Sequence, residues 1–207
     1  MNPTIDAKSL RRALQADLDA GAAESASRLA TAADDAGVLD VAYATADTPV
    51  GPALVAATHR GLVKVSLPNY PPEEALERIA AEVSPRILES RERLDEPLRE
   101  LDEYFAGRRE SFDLKLDWSL ATAPFMRSVL RETARVPFGM TLTYGEVAEK
   151  AGHPRAHRAA GSALGANPIP IVVPCHRIVR SGGQLGNYGG GPEMKEYLLR
   201  LEGAIGA

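Results

Sequence analysis

The stretch Ile171-Val172-Val173-Pro174-Cys175-His176-Arg177 sets the single cysteine of this 207-residue chain between a proline-stiffened apolar run and a histidine. One thiol cannot form a disulfide within the chain, and one cysteine cannot assemble a zinc site. Its value lies either in packing as a small apolar residue or in reacting as a thiolate. Pro168, Pro170 and Pro174 fix three φ angles and remove three amide donors, so the approach to Cys175 reads as rigid and locally extended. A stiff approach orients a nucleophile, and orientation can supply about 7–11 kcal/mol of a barrier in the best intramolecular cases. His176 is the adjacent base candidate, because a thiol of ordinary pKa, about 8.5, is mostly protonated at neutral pH. In a strand the two side chains would point to opposite faces, so a turn after Pro174 or an intervening water must join them.

Downstream, Met194, Tyr197, Leu198 and Leu201 mark the apolar face of a last helix that Gly203 stops. Glu202 falls in its final turn, where the helix dipole disfavours a carboxylate, so it needs solvent or a partner, and His176 is the candidate. Between them, Gly186-Asn187-Tyr188-Gly189-Gly190-Gly191 is a loop whose backbone can approach a flat ligand closely. Upstream, helices are expected over Phe125 to Ala134, Tyr144 to Ala151 and Arg155 to Leu164, the last two separated by Gly152-His153-Pro154. Two short helices around a glycine-containing turn are a helix-turn-helix candidate.

The first half reads differently. Leu10, Leu14 and Leu18 sit at helical spacing within an alanine-rich, acidic stretch from Asp6 to about Gly37. Val38 to Ser66 alternates in strand fashion and is broken by Thr48-Pro49-Val50-Gly51-Pro52 and Arg60-Gly61, as antiparallel strands joined by turns. Helices are expected from near Glu73 and from Pro97 to Phe105. Phe112, Leu114 and Leu116 alternate with charged residues as in a half-buried strand. Residues 1–126 hold 22 acids against 14 bases, whereas 127–207 hold 6 against 10, within a net charge of -4. The sign change falls beside the Ala121–Pro124 linker, which places a domain boundary near residue 120. The basic half offers Arg127, Arg131, Arg135, Lys150, Arg155, Arg158, Arg177 and Arg180 to phosphates, although scattered solvated arginines are an equal reading of charge alone. No apolar run approaches the roughly 20 residues of a membrane span, and the start lacks a secretory pattern. The expectation is a cytoplasmic protein with no membrane association, the lone cysteine agreeing with a reducing compartment.

Taken in order, Asn167-Pro168-Ile169-Pro170, Pro174-Cys175-His176-Arg177, Gly186-Asn187-Tyr188 and Leu198-Leu199-Arg200-Leu201-Glu202-Gly203 resemble the O6-alkylguanine-DNA alkyltransferases. The resemblance extends from about Val41 to Gly203, with weaker echoes at Thr48 to Pro52 and Leu101 to Gly107. It implies an α/β fold, with a small ribonuclease-H-like domain over 39–120 and a mainly helical domain with a winged helix-turn-helix over 121–207, while residues 1–38 read from their own pattern as a helical extension. It also implies a reaction in which an alkylated guanine, or an O4-alkylthymine, is flipped out of duplex DNA and gives its alkyl group irreversibly to a cysteine, once per molecule. No cofactor and no metal are implied; the histidines are only His59, His153, His157 and His176. Carried over by position, Cys175 is the acceptor, His176 the base acting through water, Glu202 the acid that orients it and Asn167 the amide bracing the turn. Arg158 would fill the gap left by the extruded base, in the minor groove. Tyr144 would turn the target phosphate and donate toward guanine. Tyr188, Gly189 and Gly190 would line the pocket, and the carbonyls of Cys175 and Ile178 would accept from the exocyclic amine. The partner implied is double-stranded DNA, bound by a monomer. Met126, Leu130, Met140, Gly189 and Pro192 depart from the family's usual residues. Two other readings stay open on the residues alone: a non-catalytic lesion-binding relative, against which the thiol speaks, and a cysteine hydrolase, for which the His would normally come from a distant segment.

Overall fold

The structure, a computed structural model, describes residues 21–206 apart from 23, so Leu10, Leu14 and Leu18 lie outside the described residues. A helix α1 (24–35) leads into β1 (Val41–Ala46), β2 (Ala53–Thr58) and β3 (Gly61–Ser66), an antiparallel meander. Gly61 makes the second turn possible: its φ is +131°, and a Cβ there would stand 2.2 Å from the Lys115 carbonyl oxygen. After β3 the chain crosses through α2 (Pro72–Glu82) and returns as β4 (Ile87–Glu89), parallel to β1. Parallel pairing requires such a crossover, and the sheet order is β3-β2-β1-β4.

The two sheet faces are covered separately. α2 lays Ala75 and Ile79 against Val41, Leu54, Ala56 and Val63. α3 (Asp95–Phe105) brings Leu98, Leu101 and Tyr104 to the side of Val55, Leu62 and Val65. The strand expected over Phe112 to Leu116 is not formed. Its alternation of half-buried and exposed residues is present, yet only Leu116 bridges to Leu62, with Leu62 N–H donating to the Lys115 carbonyl and Asp117 N–H to the Leu62 carbonyl.

The second half is helical: α4 (Pro124–Thr133), α5 (Tyr144–Lys150), α6 (His157–Gly165) and α7 (Pro192–Leu201). Thr143 and Glu146 close a capping box that starts α5. α5 and α6 pack on each other and on α4 across the 151–156 turn, as the helix-turn-helix reading requires. A two-residue parallel ladder, β5 (Leu142–Thr143) with β6 (Ile178–Val179), ties the start of α5 to the segment after Cys175. This α/β architecture agrees with the fold class expected from the sequence.

One apolar cluster runs through both halves, from Val55, Leu62 and Val65 to Val129, Leu130, Val147, Ala160, Ile169, Ile171 and Leu198, and Cys175 belongs to it. Each fully buried aliphatic side chain contributes about 1.5–3 kcal/mol, so the thiol sits in well-supported structure. Among the described residues no helix is long and apolar enough to cross a membrane.

Candidate active site

The proline-rich approach to Cys175 is rigid but not extended. Residues 168–173 form turns, Val173 N–H donates to the Ile169 carbonyl, and Ile171 takes a φ of +73°. Three prolines leave too few donors for a strand ladder, so the segment coils back on itself. A β-branched residue in the left-handed region is costly and persists only where its surroundings impose it. Asn167 is the brace: Ile169 N–H donates to its Oδ1, and its Nδ2 donates to the Val173 carbonyl at 2.8 Å. The same Nδ2 lies 3.1 Å from Cys175 Sγ. Pro174 at φ -80° and ψ 65° makes a tight inverse γ-turn in which Cys175 N–H donates to the Val173 carbonyl. A short 3-10 turn then spans Cys175–Arg177, which supplies the turn needed between adjacent Cys and His.

His176 is fully buried, and its Nε2 stands 2.8 Å from Glu202 Oε1. Glu202 is buried too, the partnered one of its two sequence readings. Oε1 also accepts from Tyr104 Oη at 2.6 Å and Arg177 Nη2 at 2.9 Å, and Oε2 accepts from Arg177 Nε at 2.8 Å. Burial works against this carboxylate, but hydrogen bonds from His176, Arg177 and Tyr104 outweigh it and hold the pKa at about 2. Tyr104 is the opposite case, driven far up by burial and by the Glu202 charge, so it stays a donor. Burial pushes His176 down, with Glu202 opposing, which favours a neutral imidazole. A neutral ring donating from Nε2 to an anion carries its lone pair on Nδ1. That nitrogen is buried without a hydrogen-bond partner among the described residues, as is Tyr188 Oη.

Burial raises the Cys175 thiol to about 11, despite the Asn167 hydrogen bond and the Lys195 charge. The resting sulfur is therefore a thiol that needs a base. Lys195 is buried in α7, donates to the Ile178 carbonyl, and is lowered by burial to about 8. The Ile178 carbonyl expected to face a ligand amine thus already accepts from an ammonium.

Tyr144 opens α5 with its hydroxyl 3.3 Å from the Asn187 carbonyl. With Gly161, Leu164, Gly165, Asn187, Tyr188 and Cys175 it lines a cavity of about 160 Å³. Arg158 is exposed on α6, and Gly161 and Gly165 follow it at i+3 and i+7, so it stands on the cavity-facing side of that helix. A Cβ at Gly190 would meet Met194 Sδ at 2.2 Å and Tyr188 Cε1 at 2.9 Å, so those side chains would have to shift to admit one. Gly189 accepts from Asn69 Nδ2 at 2.7 Å, which pins the loop to the first half of the chain. Of the departures noted in sequence, Leu130 is fully buried in the core and Met140 is 58% exposed. Cys175, His176, Glu202, Asn167, Tyr188 and Tyr144 thus gather around one site, and Arg158 flanks it. Sequence reading missed Tyr104, and it offered Arg177 to phosphates, whereas that guanidinium is buried and donates to Glu202 and the Val136 carbonyl. A buried-face tyrosine at the end of an amphipathic helix and an arginine next to the histidine were the available signals.

Among the described residues no group of three or more His, Cys, Asp or Glu side chains is placed to hold a metal ion.

Residues 41–118 match the family model for the 6-O-methylguanine DNA methyltransferase ribonuclease-like domain, and residues 124–204 match the model for the DNA-binding domain of the same family. A methylated-DNA–protein-cysteine methyltransferase of Methanosarcina acetivorans is 40% identical over 162 residues, covering 78% of this chain and 98% of the relative. The crystal structure of Mycobacterium tuberculosis O6-methylguanine methyltransferase superposes with a TM-score of 0.67 at 34% identity, covering 81% of this chain and 95% of that one. The Mycobacterium tuberculosis OGT crystallised in complex with DNA gives 0.66 at 34% identity, over 79% and 93% of the two chains. The chain is a member of the 6-O-methylguanine DNA methyltransferase family.

Proposed function

We propose that this protein repairs DNA directly, by moving the alkyl group of an O6-alkylguanine, or an O4-alkylthymine, to Cys175 after the base is flipped from the duplex. The observation that carries this reading is the linked set Asn167, Cys175, His176 and Glu202: a thiol held by an amide, beside a buried imidazole whose far nitrogen is fixed on an anion. His176 Nδ1 takes the thiol proton through one water. The sulfur lone pair attacks the alkyl carbon, the C–O6 bond breaks, and its electron pair returns to the guanine. Donation from Tyr144 stabilises the leaving base, and a proton taken up by the ring completes neutral guanine. The product is a thioether on Cys175, which no group in the site can cleave, so each molecule reacts once.

Residues 121–207 form the DNA-binding and transfer unit in this reading, residues 39–120 support it through Tyr104 and the edge of β3, and residues 1–38 are an extension. α6 enters the minor groove, Arg158 fills the gap in the stack, and phosphate contacts carry binding without sequence readout. Tyr188 and the Gly189–Gly190 backbone line the base pocket, and the protein acts as a cytoplasmic monomer. Neither a metal nor an organic cofactor has a step to perform.

The test is a count. Protein is mixed with excess duplex oligonucleotide holding one O6-methylguanine, and the DNA is digested to nucleosides. Restored guanine should plateau at one equivalent per protein. Continued turnover, or no restored guanine, contradicts the reading, and lesion binding without repair would favour the non-catalytic alternative.

A further inference from the structure

Two cavities meet at Cys175. The smaller faces α5 and α6, as described above. The other, of about 270 Å³, runs from Cys175, Asn167 and Pro170 past Tyr188 and Gly189 to the edge of the sheet. Its far end is formed by Lys64 and Ser66 of β3, Tyr70, and Glu74 and Arg78 of α2. A methyl group occupies only a small part of such a volume.

The walls of this channel are stitched on both sides of the thiol. Val65 N–H, on the edge strand, donates to the Pro168 carbonyl at 2.9 Å, and Asn69 Nδ2 donates to the Gly189 carbonyl at 2.7 Å. The sheet edge and the Cys175 turn therefore hold a fixed spacing. Among the charges at the far end, Arg78 is engaged by Glu82 at 3.0 Å, and Glu74 is solvent-exposed. Lys64 differs: it is half-buried, and among the described residues its ammonium makes no hydrogen bond or ion pair. Burial lowers its pKa, the Arg78 charge adds to this, and Glu82 opposes it. Its Nζ still reaches solvent, and a partly desolvated cation without a counter-ion gains from an incoming anion.

We propose that this channel receives O6-alkyl groups several atoms long that end in a carboxylate, with Lys64 as the counter-charge. The proposal rests on the alkyl-transfer reading. The bonds made and broken are unchanged, because sulfur attacks the carbon attached to O6 and the distal carboxylate takes no part. Specificity arises because a neutral chain of equal length leaves Lys64 unpaired while an anionic one does not.

Three duplex oligonucleotides test it, carrying O6-methylguanine, O6-pentylguanine or O6-(4-carboxybutyl)guanine, the last two matched in chain length. Single-turnover transfer from the carboxybutyl lesion should be about fivefold faster than from pentyl, and the ratio should shrink as salt is raised. Lys64→Met should bring the ratio to about one and leave methyl transfer unchanged, and Lys64→Arg should restore the preference. The proposal is overturned if the wild-type protein shows no carboxylate preference, or if Lys64→Met keeps it, while methyl transfer proceeds. Failure of all three lesions to transfer overturns the alkyl-transfer reading and this proposal with it. The wild-type ratio decides the matter even if the variant does not fold.

Discussion

Glu202 and Cys175 are two ends of one buried network, and they are treated in opposite ways. Glu202 is saturated: Tyr104 from the sheet half and His176 and Arg177 from the helical half place four donors on its two oxygens. Among the described residues Cys175 has a single side-chain partner, Asn167, and it opens onto two cavities. The first arrangement fixes charge and geometry, and the second leaves a sulfur able to react. A buried carboxylate without such partners would be expelled or protonated, and a thiol with as many partners would be too well stabilised to attack.

Breaking the open end should have the largest effect on chemistry and little on stability. Cys175→Ser is expected to reduce alkyl transfer to background while lesion-duplex binding persists, measured by fluorescence anisotropy; loss of binding would show that the thiol also carries recognition. Breaking the saturated end should do both kinds of damage. Glu202→Gln leaves Arg177 buried without its counter-charge, so unfolding stability should fall by about 3 kcal/mol, with a fall in transfer rate, read by denaturant titration and rapid quench. The sign of the pH effect follows from the low folded pKa. Glu202 contributes stability that is fully present above its unfolded pKa, about 4.3, and is lost as pH falls through about 2. Glu202→Gln should therefore flatten the acid limb of the wild-type stability curve, and an unchanged limb would contradict the assignment.

Arg158 lies outside the network and should separate DNA handling from chemistry. Arg158→Ala should slow repair in duplex about 30-fold, the equivalent of about 2 kcal/mol of the unstacking cost, while reaction with free O6-benzylguanine stays near wild type. Equal losses would remove its part in flipping. A smaller change is expected for Tyr104→Phe. One of four donors to Glu202 is lost, costing about 1.5 kcal/mol of stability and only a few-fold in rate. The smallest effect is a flat one: because burial holds His176 below the ordinary histidine range, transfer to free base should keep well over half its pH 8 rate at about pH 6.5, the half-protonation point of an ordinary imidazole. A rate already halved at about pH 6.5 would mean that His176 titrates normally.

Much of this contrast was legible in the sequence. Cys175, His176 and Asn167 fall within ten residues, and a carboxylate at the unfavourable end of the last helix announced that Glu202 needed a partner. Its other partners were hidden for a topological reason. Tyr104 lies 98 residues from Glu202, and only the packing of α3 under the helical half joins them. Lys195 reads as a surface residue between Met194 and Tyr197, although Lys195, Leu198 and Glu202 share one face at spacings of three and four. The sheet was read from strand alternation and turn residues, but two segments went astray. Alternation over 112–116 reflects half-burial without a continuous partner strand, and the prolines around Ile171 stiffen a turn rather than an extended run. In both, side-chain pattern was correct while the backbone hydrogen bonds were decided by neighbours distant in sequence.

The central claim is that the open end of the network is the site consumed by the reaction. Intact-protein mass spectrometry after incubation with O6-methylguanine duplex, followed by peptide mapping, tests it most directly. One methyl group per molecule, located on Cys175, is the predicted result; an unmodified protein, or a methyl on any other residue, would contradict it.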